Sequence, residues 1–91
     1  MTERRVAITG IGLISPLGND LATNWANVTN GVSGVGPITQ FEIDKDLNSK
    51  IAGEVKNLNP EDYVSKKDVK RYDRFSLMAL AASKEAWNDS G

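Results

Sequence analysis

Hydrophobic residues in this chain come in short bursts separated by glycine and proline. Val6-Ala7-Ile8 is apolar and β-branched, the make-up of a buried strand. It runs into Gly10-x-Gly12, which allows a tight turn or the close approach of other backbone, and then into a loop marked by Pro16 and Gly18. Leu21, Trp25 and Val28 fall at i, i+4 and i+7, which predicts a helix over 21–30 with one apolar face. Asp20 is its N-cap and Gly31 its stop. Residues 31–50 read as loop, with a short strand near 38–41. Ile51 to Val55 reads as another short strand, weakened by Gly53.

Pro60 opens a helical turn through Tyr63. Ser65 followed by Asp68 resembles a capping box, with Asp in place of the usual Glu or Gln. From there to about Asn88 the pattern is helical, with a break near Asp73, itself a second N-cap, and with Ser90-Gly91 as the end. Within this stretch Phe75 to Ala82 spans two turns with almost no polar residue. A helix that is apolar all round is buried all round. The other elements are too few to surround it, so its cover is expected from outside these 91 residues. The 91 residues alone are therefore not expected to form a stable monomer, and Phe75 to Ala82 should be either exposed or covered by another chain.

Composition narrows the chemistry. The formal net charge is −1, so no global charge draws the chain to nucleic acid or to a membrane surface. There is no Cys and no His, which removes a thiol nucleophile, thiolate metal ligands and the commonest general base. The run from Val6 to Ile14 follows Arg4 and Arg5 as in a signal peptide, but Thr9, Gly10 and Gly12 interrupt it, and Pro16 and Gly18 stand where a cleavage site would fall. No stretch is long or apolar enough to span a bilayer, and a cytoplasmic protein is the default expectation.

Three groups of residues could carry function. Gly10-x-Gly12-x-x-Ser15 approaches a dinucleotide fingerprint, but the third position is Ser, Pro16 follows, and the next helix starts too far on for its amides to cradle a phosphate. A packed structural loop is the better reading, with no cofactor and no saturable response to NAD, NADP or ATP. The acids Glu42, Asp44, Asp46, Glu61 and Asp62 form no spaced pair on a rigid frame, so neither acid–base catalysis nor a metal site is expected of them. The third group is basic. Lys67, Lys70, Arg71 and Arg74 lie at i, i+3, i+4 and i+7, one face of a helix if 66–74 is helical. From Lys66 to Arg74 five cations meet two carboxylates. Such a stripe attracts an anionic partner, although on these residues alone an ordinary solvated face, with Asp68 and Asp73 pairing locally, is the plainer account. Nucleic acid fits poorly, since no aromatics interleave for stacking.

The segment Arg5-Val-Ala-Ile-Thr-Gly-Ile-Gly-Leu-Ile-Ser-Pro-Leu-Gly-Asn19 resembles the amino terminus of the β-ketoacyl-acyl carrier protein synthases, in the manner of the synthase II type. The likeness continues through Trp25, Gly31-Val32-Ser33-Gly34, Ile38-x-x-Phe41 and Ile51-Ala52-Gly53-Glu54-Val55. It then runs through Lys66 to Phe75, Ala81-Ala82 to Ala86, and Asn88 to Gly91. The resemblance implies an α/β chain of thiolase-like fold, with residues 1–91 forming only the first part of the amino-terminal half of the synthase domain. It implies a cytoplasmic homodimer that condenses malonyl-carrier with an acyl chain in fatty-acid elongation. The family's catalytic cysteine and both histidines would lie beyond residue 91, so no catalytic residue, cofactor site or metal site is assigned here, and the segment alone should not catalyse condensation. The family's docking patch for the acidic acyl carrier protein matches Lys67, Lys70 and Arg71, and helical spacing extends it to Arg74. This turns the reading of the stripe from a solvated face to a docking surface. A polyketide ketosynthase or chain-length subunit, a non-enzymatic module binding an acidic partner, and a nucleotide-binding oxidoreductase are the alternatives.

Overall fold

The computed structural model describes residues 3–91, so the first two residues of the expected 1–91 segment lie outside the described residues. The element order is α1 (Leu21–Thr29), β1 (Val35–Pro37), β2 (Ile51–Gly53), 3₁₀ turns at Pro60–Asp62 and Val69–Arg71, and α2 (Arg74–Asp89). β1 and β2 pair antiparallel, with Val35 opposite Gly53 and Pro37 opposite Ile51. Helix and strand are thus mixed, with one two-stranded sheet among the described residues. The chain is open: its radius of gyration is 16.9 Å, against roughly 12 Å for a compact domain of this length.

The helix caps follow from local sequence. Asp20 has extended backbone, and its carboxylate accepts from the Thr23 amide at 2.7 Å. That bond holds its pKa below the ordinary carboxylate value. At the other end Gly31 takes φ +70°. The Gly31 amide donates to the Val28 carbonyl and the Val32 amide to the Asn27 carbonyl, at 3.1 and 2.9 Å. This is a Schellman closure, which needs the left-handed conformation that glycine adopts without steric cost. Asn59 caps the turn at Pro60 by accepting from the Glu61 amide at 3.2 Å.

Tertiary packing departs from the pattern in four places. Val6-Ala7-Ile8, expected as a buried strand, pairs with no strand among the described residues, and Val6 and Ile8 are 94% and 84% exposed. The strand expected near 38–41 lies three residues earlier, at Val35–Pro37, and the one expected at 51–55 ends at Gly53. There the Glu54 carboxylate leaves the strand to accept from the Thr39 amide and hydroxyl and the Gln40 amide, at 3.2, 2.8 and 3.1 Å. The face of α1 carrying Leu21, Trp25 and Val28 is not the one that is buried: Trp25 is 67% exposed, while Asn24 is fully enclosed. Finally, 66–73 is not α-helix but turn and 3₁₀, broken at Tyr72, and α2 starts at Arg74 behind Asp73.

The small apolar core joins Val55 to Leu77 and Ala81 of α2. The rest of the apolar run in α2 is not enclosed, with Phe75 71% exposed and Leu80 also exposed. The expectation of exposure is thus met at Phe75 and Leu80 and not at Leu77 and Ala81, which this chain covers itself.

Candidate functional site

The glycine loop is built against α2. A Cβ at Gly12 would overlap the Ala82 carbonyl oxygen, and one at Gly10 the Ala86 carbonyl oxygen. The chain from Gly10 to Leu13 therefore runs antiparallel to α2, on a stripe of small residues at Ala82, Ala86 and Ser90. Its amides are taken up by the same helix. Ile11 donates to the Asp89 carboxylate at 3.1 Å and Leu13 to Glu85 Oε1 at 2.9 Å. The spacing accounts for the fit. Four residues of helix advance about 6 Å, close to the roughly 6.6 Å between alternate amides of an extended chain. Glu85 Oε2 also accepts from the Leu21 amide at 2.9 Å, placing a carboxylate at the positive end of α1.

The turn beyond the glycines is closed by polar side chains of α1. Asn24 donates to the Gly18 and Asp20 carbonyls at 2.9 and 2.7 Å and receives the Ser15 hydroxyl. Ser15 in turn accepts from the Leu17 amide at 3.1 Å. Asn27 donates to the Leu17 carbonyl, and Pro16 lies against Gly34 and Gly53 of the hairpin. Helix backbone thus fills the space beside Gly10 and Gly12, and the Ile11 and Leu13 amides are bonded to Asp89 and Glu85. An open cleft of about 1120 Å³ lies nearby, between the start of α1, residues 57–63 and α2. On its wall Lys84 stands 5.5 Å over the Tyr63 ring and donates to the Asp62 carbonyl at 3.2 Å.

The basic residues sit on an exposed turn. Lys66, Lys67, Lys70 and Arg71 are all exposed. Asp68 anchors the turn from within: the Ser65 hydroxyl donates to it at 2.8 Å, and its carboxylate lies 3.7 Å from the Arg71 guanidinium. That pair is the local neutralisation of the plainer sequence account, but it leaves Lys66, Lys67 and Lys70 without a carboxylate partner among the described residues. The expected capping box does not form, because Ser65 donates to the Asp68 side chain instead of accepting from its amide. The single helical face predicted for Lys67, Lys70, Arg71 and Arg74 does not form either. The break at Tyr72–Asp73 puts Arg74 at the first position of α2, where Nη2 donates to the Val55 carbonyl at 2.6 Å.

Comparison with known proteins bears directly on this arrangement. The sequence profile described as Beta-ketoacyl synthase, N-terminal domain, matches residues 3–91, nearly the whole chain. This chain belongs to the beta-ketoacyl synthase N-terminal domain family. Among its curated relatives is a 3-oxoacyl-[acyl-carrier-protein] synthase 2 of Staphylococcus aureus, 44% identical over 88 residues, which cover 97% of this chain and 21% of that protein. A protein of the same name from Synechocystis is 39% identical over 90 residues, 99% of this chain and 21% of its own length. The synthase segment thus spans about one fifth of the length of the curated relatives it matches.

Three structural features of this synthase segment were not read from its sequence. Glu85 and Asp89 read as the polar side of a helix, yet their i, i+4 spacing matches the alternate amides of Ile11 and Leu13. Asn24 and Asn27 carry no mark in the sequence that sets them above the apolar residues beside them. Arg74 was grouped with the stripe by spacing alone. In each case the signal, a polar residue at helical spacing opposite a glycine-rich or broken segment, is present but not distinctive. No helix among the described residues is long and apolar enough to cross a membrane.

Proposed function

We propose that this segment is the amino-terminal part of a thiolase-like condensing enzyme. The whole protein joins an acyl chain to malonyl units delivered on acyl carrier protein, in fatty-acid elongation, as a cytoplasmic homodimer. The reading is supported by the family match over residues 3–91 and by relatives named as 3-oxoacyl-[acyl-carrier-protein] synthases. The segment contains neither Cys nor His, so in this reading the nucleophile and the groups that assist decarboxylation come from the rest of the enzyme. What residues 3–91 contribute is scaffold and docking surface.

The observation that carries the docking assignment is the exposed turn bearing Lys67, Lys70 and Arg71, free of the packing that occupies the glycine loop. Cations held on a short, solvated turn suit an acidic carrier. They steer its approach and act chiefly on association rate, because water screens each contact. Asp68 beside Arg71 fixes that side chain without cancelling the stripe.

The test is made on the full-length synthase. Lys67→Glu with Arg71→Glu should raise KM for the acyl-carrier substrate several-fold, and leave turnover of a short acyl thioester that lacks the carrier nearly unchanged. Equal losses on both substrates would make the turn structural and defeat the docking assignment.

A further inference from the structure

Arg74 and Lys67 carry the same charge and are both exposed, but of the two only Arg74 is hydrogen-bonded to the rest of the chain. Lys67 points from an exposed turn into water. Arg74 places Nη2 2.6 Å from the carbonyl of Val55, a buried residue of the small core. That distance is short even for a charge-assisted bond to a neutral carbonyl. The bond joins the chain just beyond β2 to the first residue of α2, 19 positions apart. It therefore closes the base of the loop that holds both 3₁₀ turns and every cation from Lys66 to Arg71. The loop has further ties, from Asn19 to the Lys56 carbonyl at 2.8 Å and from Lys84 to the Asp62 carbonyl at 3.2 Å and over the Tyr63 ring, but these hold only its first half. Beyond Tyr63, no other side-chain hydrogen bond among the described residues ties the turn to the rest of the chain.

We propose that Arg74 is a positioning residue of the basic turn: its guanidinium, bonded to the Val55 carbonyl, holds Lys67, Lys70 and Arg71 in the geometry that an acidic carrier protein meets, and does not itself contact the carrier. This rests on the docking reading above. The reasoning is one of loop closure. Releasing one tie of a loop this long leaves the cations from Lys66 to Arg71 in place but restores conformations that binding must then remove. Losing a docking cation does the reverse: it lowers the attraction and leaves the loop as it was.

The two roles separate by measurement on the full-length synthase, with acyl carrier protein as probe, at low and at physiological ionic strength. Arg74→Met should weaken carrier binding roughly threefold to tenfold at both ionic strengths, a loss of order rather than of steering. It should also accelerate hydrogen exchange at the amides of Asp68 and Arg71, which are bonded to the Ser65 and Asp68 carbonyls. Lys67→Ala, the comparison, should flatten the salt dependence and leave that exchange unchanged. Arg74→Gln is read the same way should the Met variant not fold. Either a salt dependence flattened as in Lys67→Ala, or unaltered exchange at Asp68 and Arg71, would overturn the proposal. If Lys67→Ala changed neither affinity nor salt dependence, the docking reading would fail. Exchange in Arg74→Met would then still decide whether the tie to Val55 orders the turn.

Discussion

The glycine loop and the basic turn make opposite use of their polar groups. In the loop from Gly10 to Gly18 the Ile11 and Leu13 amides and the Leu17 and Gly18 carbonyls are bonded from inside the chain, by Asp89, Glu85, Asn27 and Asn24, and helix backbone fills the space beside the glycines. In the turn from Ser65 to Arg71 the backbone is satisfied locally, through Asp68 and Arg71 amide bonds of 2.8 and 2.9 Å, and the charged side chains are left in water. The first region has the outward look of a ligand loop and behaves as packing. The second has the look of ordinary helix surface and presents its chemistry to solvent. A glycine motif reports that something approaches the backbone closely, and here that something is the protein's own helix.

The comparison can be broken at its tightest point. Gly12→Ala puts a methyl group onto the Ala82 carbonyl, and no side-chain rotation relieves a contact between two backbones. It should destabilise the synthase by roughly 3 kcal/mol or more, at the upper end for overpacking, seen as a lowered Tm or lost soluble protein. A nearly unchanged Tm would mean that the loop is not seated on α2. Glu85→Ala is the next largest effect. It leaves the Leu13 and Leu21 amides without their carboxylate. Because the Leu21 bond is part-buried and the Leu13 bond exposed, a cost of only about 1–2 kcal/mol is expected from the urea midpoint. Glu85→Gln, which keeps one acceptor, should recover about half of that. On the docking reading proposed above, neither change should alter the salt dependence of carrier binding.

The smallest effect is one of pH. The Thr39 hydroxyl, first, and the Thr39 and Gln40 amides hold the Glu54 carboxylate below its ordinary pKa. These bonds favour the charged form, so their contribution is complete above the ordinary glutamate range. It is lost as pH falls below that range and through the lowered value. Amide exchange or NMR shifts at Thr39 and Gln40 should therefore report loosening of residues 38–41 under mild acid, and the same loosening at neutral pH in Glu54→Gln. Indifference of both amides to acid would show that Glu54 does not hold this loop.

Much of the local structure was legible because local rules decide it. Asp20 and Gly31 bound α1 within a residue of where their cap chemistry put them, and Pro60 opened its turn behind Asn59. The close approach implied by Gly10-x-Gly12 was legible too, but not its partner, since a glycine names no neighbour. The burial of α1 was not legible: apolar periodicity marks Leu21, Trp25 and Val28, whereas the enclosed residue is Asn24, with Asn27 bonded beside it. Spacing of i, i+3, i+4 and i+7 promised one face to four cations and failed at Tyr72, where extended backbone ends the turn before α2 begins.

What the sequence determined by itself, then, is the set of features carried by a few consecutive residues: caps, turns, the break at Asp73, and the family resemblance that the profile over residues 3–91 bears out. What only the tertiary structure decided is which polar groups meet across the chain. Glu85 reaches Leu13 over 72 positions, Asp89 reaches Ile11 over 78, and Arg74 reaches Val55 over 19. The physical reason is one of range. A cap or turn is chosen by steric and hydrogen-bonding preferences within about one turn of chain. A bond between distant residues forms only where packing has already brought two stretches of backbone together, which neither residue's neighbours in sequence can dictate.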